Sequence, residues 1–551
     1  MNKTIKITYT RDKKVHTTDT ASGSQVFSFM PEFSINGTQL VAAKVNNELC
    51  PLDMPLDIDC TVEPVYNNTK EGMSVYRRSL CLLLAAAAYK INPKTRLLVG
   101  NSICYGYYYT FEGDTIKADK LKEEMKKLIA KDLPIKTDVI SWESAAKLFE
   151  KLNMVETRKQ LNHTCKSKIR INTIEDFSDL YFGPLVLSTG ALQVFDLVEY
   201  QNGLLLRFPK TKDPNHLPDF TDEPKLFNIF SQYKEWGKRL NVTSAASLND
   251  LVAKRKVNDF IDISETYQQK NISKIASQII QKGSVRVVLI AGPSSSGKTT
   301  SAKKLGLELQ AMGYQPKLIS LDCYYAGRDK TPLDENGQPD YECLEALNVE
   351  LLNQNLVDLF AGKEVTIPSY DFHTGTSYFE EKNKMSLAKN EILILEGIHG
   401  LNPKLTAKVP DNLKFKIYLS ALTQLNLDDH NRISTSDNRL IRRIVRDANF
   451  RGKPAEGTIA MWPSVQKGEV LHIFPFHNNA DAILNTALDY ELSVLRVYAA
   501  PLLRRVNPTM PEYSEAQRLL SFLENFATIA PTAVPPRSII REFIGGSAFH
   551  Y

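Results

Sequence analysis

The stretch VRVVLIAGPSSSGKTT, residues 285–300, constrains this chain more than any other. VRVVLIAG is a continuous apolar, β-branched run, the pattern of a strand buried on both faces of a parallel sheet. It leads into GPSSSGKT, Gly292 to Thr299, which matches G-x-x-x-x-G-K-[ST], and then into the helical pattern TTSAKKLGLELQAMG, closed by Gly313. Strand, glycine loop and helix in this order build a phosphate cradle. Glycines let backbone N–H groups turn toward phosphate oxygens, and the helix N-terminus adds partial positive charge. Gly292, Pro293, Ser294, Ser295, Ser296, Gly297, Lys298, Thr299 and Thr300 are therefore the expected nucleotide-binding residues. Lys298 is expected to reach the β- and γ-phosphates, and the Thr299 hydroxyl to ligate Mg2+.

Further buried-strand patterns follow in PKLISLD, EILILEG, KFKIYLS and ADAILN, with helical segments between them. Strands alternating with helices over this length predict a doubly wound parallel α/β sheet with helices on both faces. Ligands bind such sheets beyond the carboxyl ends of the strands. Asp322 ends one predicted strand and Glu396 another, so both carboxylates should face the loop. One can take the proton of an acceptor hydroxyl and the other can hold a metal ion, with Thr299, Asp322 and Glu396 as the candidate metal set. A guanine-reading N-K-x-D is missing, and DENG, 334–337, follows no apolar strand and reads as a turn. P-loop proteins otherwise divide into motors and small-molecule kinases, and the two strand-end acids sit where phosphoryl transfer from ATP with Mg2+ needs them. Arg439, Arg442, Arg443 and Arg446 recur every three or four residues, with Arg451 in the loop FRGKP after them. A mobile arginine-rich lid closing over transferred phosphate fits that position.

The 551 residues suggest three or four domains. Lys plus Arg number 68 against 63 Asp plus Glu, a net charge of +5, too mild to require nucleic acid or an anionic membrane. The seven cysteines show no CxxC spacing and read as reduced thiols. The N-terminus MNKTIKITYTRDKK lacks the apolar core of a signal peptide, and the most apolar stretch, 80–89, is too short to cross a bilayer. The expectation is a cytoplasmic protein without membrane attachment. Residues 1–66 alternate in short apolar and polar runs, a small β-rich module. Helical patterns cover 76–90, 116–130 and 141–152, and strand-like runs return between 166 and 208. KTKDPNHLPDFTDEP, 210–224, reads as a linker or long loop, followed by helical pattern to 281.

GPSSSGKTT, LDCYY, IPSYDF, ILEGIHGLN and RLIRRIVRDANFRG together resemble the uridine kinase and phosphoribulokinase family, in its order and spacing. The resemblance implies that Asp322 activates a nucleoside 5′-hydroxyl while Thr299 and Glu396 partner Mg2+. It implies that Tyr325, Tyr341 and Glu342 surround the sugar, that Tyr370 contacts the base, and that Arg443, Arg446 and Arg451 are lid arginines. Phe372 is a second aromatic for stacking beside Tyr370. The chain departs from the family at four points: an Asp at the sugar is Glu342, a lid Arg is Lys453, and a His and a Gln that read uracil are Gly375 and Met461. His373 stands close to the first of these.

Residues 1–205 resemble threonyl-tRNA synthetases: LVAAKVNNELCPLDMPL is similar to their β-grasp (TGS) module, and SLCLLLAAAAYKINPKTRLLVGNSICYGYYYTF to their editing domain. The editing domain's two His, Cys and His correspond here to Arg78, Leu82, Tyr181 and Leu185, which implies neither zinc binding nor ester hydrolysis. The expected organisation is a TGS-like module at 1–66, a degenerate editing-like α+β domain at 67–209, and a linker and helical connector at 210–281. The P-loop kinase domain follows at 282–487 and a helical tail at 488–551. The expected activity is ATP-dependent phosphorylation of a nucleoside, uridine or cytidine. Rival readings are a kinase of a sugar, sugar phosphate or vitamin, and an RNA- or nucleotide-sensing switch. RNA as a partner would act through the N-terminal domains, without support from the charge; an oligomer is compatible with the sequence.

Overall fold

In the computed structural model, which describes residues 3–550 apart from 12, 13, 32, 36, 336, 372 and 373, the chain divides into two units. The first comprises Met1–Lys254, Gln424–Ser434 and Ala500–Thr528. Thr4–Arg11 pairs antiparallel with Lys14–Ala21 and parallel with Cys60–Tyr66, which lies antiparallel to Thr38–Val45. Ile5 and Ile7 alternate inward from exposed Lys6 and join Val26, Leu52 and Val62 in one core, as period-two patterning requires.

The helix Lys70–Ile91 follows, capped by the Thr69 hydroxyl, which accepts from the Gly72 N–H at 3.1 Å. It begins a turn and a half ahead of the apolar run that announces it in the sequence. A four-stranded antiparallel sheet and a three-stranded one complete this α+β region. Of the four positions where the synthetase family carries His and Cys, Leu82, Tyr181 and Leu185 belong to one buried apolar cluster. Arg78 donates to the Pro184 carbonyl at 2.7 Å, and burial lowers its guanidinium to about 10. The excursion Gln424–Ser434 brings His430 to 2.9 Å from the Asp179 carboxylate, with both side chains buried, and Asp429 to 2.6 Å from Arg96.

The second unit comprises Arg255–Thr423, Thr435–Ala499 and Ile529–Tyr551. Its main elements in chain order are α1 (Val257–Lys282), β1 (Val287–Ala291), α2 (Lys298–Ala311), β2 (Gln315–Ser320), α3 (Val349–Phe360), β3 (Val365–Asp371), β4 (Thr376–Met385), β5 (Glu391–Glu396), β6 (Lys414–Ser420), α4 (Thr435–Phe450), α5 (Ala455–His472) and β7 (Ala482–Asn485). Five strands form a parallel sheet in the order β2-β5-β1-β6-β7. Every residue of β1 and β5 is buried. Val287, Leu289, Leu393 and Leu395 pack with α3 residues on one face; Val288, Ile290, Ile392 and Ile394 pack with α1 and α2 on the other. This two-sided burial explains the unbroken apolar runs of both strands.

IPSYD, residues 367–371 of one sequence motif, is here part of β3, which forms a separate antiparallel hairpin with β4. Pro368 is tolerated because the pairing slips between Thr366 and Pro368. The C-terminal region is helical, with Tyr513–Leu523 in the first unit and the short helix Arg541–Ile544 in the second. Among the described residues no helix is long and apolar enough to cross a membrane. The cysteines are free thiols.

Candidate nucleotide and acceptor site

The P-loop joins the end of β1 to α2. Gly292 is required by close approach: a Cβ there would lie 2.3 Å from the Leu419 carbonyl oxygen. Gly297 has φ +81°, and Ser295, at φ +58°, takes the same left-handed conformation without being glycine. The loop's carbonyls are held from behind. Arg439 Nε donates to Ser294 O at 2.9 Å, Arg442 Nη1 to Ser295 O at 3.2 Å, and Thr486 Oγ1 to Ser296 O at 2.6 Å. Holding the carbonyls fixes the orientation of the peptide groups between them, which a phosphate nest needs.

Lys298 is half-buried, and its ammonium donates to the carbonyls of Gly292 and Pro293 at 3.0 and 3.2 Å. Burial lowers its pKa, opposed by Glu396 and Asp322, so both acids lie within electrostatic reach of it. The reason is topological: β2 and β5 are neighbours, and β5 neighbours β1, so the three carboxyl ends open on one edge of the sheet. Thr299 Oγ1 donates to Glu396 Oε1 at 3.1 Å. Burial raises the Glu396 carboxyl to about 7, with Lys298 pulling it down. Burial also raises Asp322, against Lys298, Arg451, Arg446 and Arg443.

The hydroxyl of Thr299 and the carboxylates of Glu396 and Asp322 are hard oxygen donors, the set that suits Mg2+. Among the described residues no group of three or more His, Cys, Asp or Glu could hold a metal ion by itself. Magnesium sites use one or two carboxylates and leave other positions to water and phosphate. The two acids should separate in kinetics. Asp322→Asn is expected to lower kcat more than it weakens ATP binding, whereas Glu396→Gln should raise the Mg2+ concentration needed for half-maximal rate. Identical Mg2+ titration profiles for the two variants would reject this division of roles.

The arginines of α4 do not form one set. Arg439 and Arg442 are buried anchors: Arg439 pairs with Glu469, and Arg442 lies 2.5 Å from Glu491. Arg443, Arg446 and Arg451 remain at the site. Arg443 Nη1 donates to Ser294 Oγ at 2.6 Å and its Nε to Asp447 at 2.7 Å; Arg451 also reaches Asp447, at 3.3 Å. Burial, with Arg451 and Arg443 alongside, lowers Arg446 to about 10. Asp447 was not singled out in the sequence, although its spacing of four from both Arg443 and Arg451 is the signal of a helical ion pair. Lys453 Nζ donates to Met461 Sδ, so two of the departures from the family pattern touch one another.

The aromatic candidates gather beside Asp322. The Tyr325 and Tyr370 rings lie 5.2 Å apart, and Tyr325 and Tyr341 5.8 Å apart, edge to face. The Tyr325 hydroxyl donates to the Tyr341 carbonyl at 3.1 Å. Burial pushes the Tyr325 hydroxyl well up, with Asp322 and Glu342 adding to it, which puts both acids near that ring. Gly375 turns the β3–β4 hairpin at φ +74°. Phe372 and His373, next to it, lie outside the described residues.

Glu342 is held at about 7 by burial and by Glu469, above its ordinary 4.5. Between those values the unfolded chain gives up the proton and the folded chain keeps it, so stability falls as pH rises across that window and then levels. Glu342→Gln removes this slope. Its Tm should gain on the wild type by ~2–4 °C between about pH 5 and pH 8, measured by thermal denaturation. Parallel curves would show that Glu342 titrates normally.

The fold and these residues define a P-loop protein of the small-molecule kinase class. The phosphoribulokinase / uridine kinase family matches residues 287–493. The uridine kinase of Macrococcus caseolyticus is 32% identical over 192 residues, covering 35% of this chain and 80% of that protein. The chain belongs to the phosphoribulokinase / uridine kinase family. The threonine–tRNA ligase of Desulforamulus reducens is 32% identical over 166 residues, 29% of this chain, and the chain spans only 26% of the ligase's length. That likeness lies over the N-terminal part. A solved structure of a possible uridine kinase from Bacillus stearothermophilus is 21% identical, covering 39% of this chain and 98% of that one, with a TM-score of 0.27.

Proposed function

We propose that this chain transfers the γ-phosphoryl group of ATP to the 5′-hydroxyl of a nucleoside, uridine or cytidine before others. One arrangement carries the reading: the carboxyl of Asp322, just past the end of β2, lies within electrostatic reach of both Lys298 and Tyr325, whose ring pairs with that of Tyr370. A raised pKa makes Asp322 a stronger base toward an acceptor hydroxyl, and the rings offer a flat surface for a base or sugar.

In this reading Asp322 accepts the hydroxyl proton as the acceptor oxygen bonds to the γ-phosphorus. The bond from that phosphorus to the β–γ bridging oxygen breaks, and ADP leaves. Lys298, Arg443, Arg446 and Arg451 oppose the charge on the transferring group. Thr299, Glu396 and Asp322 would hold Mg2+, which when bound would neutralise phosphate charge. Glu342, Tyr341 and Lys453 border the acceptor. Gly375 and Met461 supply no strong side-chain hydrogen bonds to a base edge, so base preference should be loose. The uridine kinase of Macrococcus caseolyticus supports the nucleoside by its name.

Stacking on an aromatic is worth about 1–3 kcal/mol. Tyr370→Ala is therefore expected to raise nucleoside KM roughly tenfold while leaving KM for ATP within about twofold. Steady-state kinetics with each substrate varied in turn checks this. An unchanged nucleoside KM, or equal rises in both constants, would remove Tyr370 from the acceptor site.

A further inference from the structure

The first turn of α2 carries a bound anion, and it comes from the chain itself. Glu542, in the short helix Arg541–Ile544, accepts from Thr300 Oγ1 at 2.7 Å and from the Thr300 N–H at 3.4 Å through the same carboxylate oxygen. Its other oxygen lies 3.7 Å from Arg446 Nη1. Three residues earlier, Ile539 presses on the loop so closely that a Cβ at Gly297 would come within 2.6 Å of its methyl carbon. At the far end of the segment, Lys303 Nζ donates to the His550 carbonyl. Ser538, Ile539, Ile540 and Phe543 are fully buried, and Phe543 receives Arg442 over its ring at 5.1 Å. The strap is therefore packed onto the cradle along its length, all within the second unit.

The N–H groups in the first turn of a helix have no intrahelical partner and attract anions. In a P-loop they are the donors aimed at nucleotide phosphate. A carboxylate and a phosphate oxygen satisfy such a donor in the same way, and both pair with arginine. One donor cannot serve both fully, and two anions side by side repel. We propose that Glu542 is an internal stand-in for a nucleotide phosphate. The C-terminal strap holds the cradle while it is empty, and nucleotide binding requires the Glu542 carboxylate to leave Thr300 and Arg446. Apparent affinity is then reduced by the fraction of molecules in which the carboxylate is in place. This inference rests on the reading of the cradle as an ATP site.

The test uses the full chain. Calorimetric titration of ATP with Mg2+ into the wild type and Glu542→Gln is expected to show tighter binding in the variant, by about tenfold. Hydrogen–deuterium exchange of the wild type, which requires no variant to fold, should show amides of 536–545 exchanging faster once ATP is bound. A folded Glu542→Gln that binds ATP equally or more weakly overturns the proposal. So does slower exchange of the strap on ATP binding, which would make Glu542 part of the binding surface. A wild type that shows no ATP binding at all overturns the ATP reading itself, and is told apart because the first titration alone reveals it.

Discussion

Lys298→Ala is expected to reduce phosphoryl transfer by at least about 10²–10³-fold while Tm stays near that of the wild type. Removing one preorganised cationic or hydrogen-bonding donor from a charge-developing transition state typically costs that much. Lys298 also stands between two acids, Glu396 and Asp322, and is a positive charge shared by both. Its loss should raise both carboxyls further, protonating the groups needed for metal binding and proton transfer. The fold should survive because, among the described residues, the ammonium donates to two carbonyls of its own loop, those of Gly292 and Pro293, and to no other element. Rates and thermal unfolding of the same preparation decide it. A folded variant with ordinary turnover would mean that the cradle does not work on phosphate.

The largest expected effect on stability lies one turn behind the loop. Arg442 and Glu491 are both essentially inaccessible to solvent, and Arg442 also donates to the carbonyls of Ser295 and Thr486. Arg442→Met leaves Glu491 as a buried charge without its cation, a change that costs about 3–5 kcal/mol. Tm should fall by more than about 5 °C, and activity should fall with it because the Ser295 carbonyl loses its anchor. The double variant Arg442→Met/Glu491→Leu should recover part of the loss, since an ion pair replaced on both sides leaves no orphan charge. A single variant as stable as the wild type would show that the pair is not desolvated in solution. Arg451→Ala provides the contrast. Its side chain is 51% exposed, so its loss should be felt in kcat rather than in Tm.

The sheet of the second unit was legible because its central strands β1 and β5 are buried on both faces. PKLISLD, EILILEG and KFKIYLS are short, apolar and bounded, while β1 and β7 each begin two residues inside the segments read for them. The cradle was legible because its chemistry is local: one loop carries glycines, lysine and threonine in fixed order. Asp322 and Glu396 were legible because strand ends converge. What the sequence could not reveal were partnerships across long separations. Arg439, Arg442, Arg443 and Arg446 look alike along one helix, and only the distant acids Glu469, Glu491 and Glu542 sort anchors from site residues. Glu542 lies more than two hundred residues from the loop it caps, so nothing local in REFI points to it. The hairpin β3–β4 was hidden for another reason: Pro368 argues against a strand, and mostly exposed β4 lacks the apolar alternation that marks one.

Product identification decides whether this chain phosphorylates nucleosides. The full chain is incubated with ATP, Mg2+ and, one at a time, pyrimidine nucleosides, purine nucleosides, sugars and sugar phosphates, and both ADP and the phosphorylated acceptor are measured by mass spectrometry. A nucleoside 5′-monophosphate is expected to form in step with ADP, uridine and cytidine leading, and neither product with Lys298→Ala. ADP formation with a sugar or sugar phosphate, and with no nucleoside at all, would contradict it.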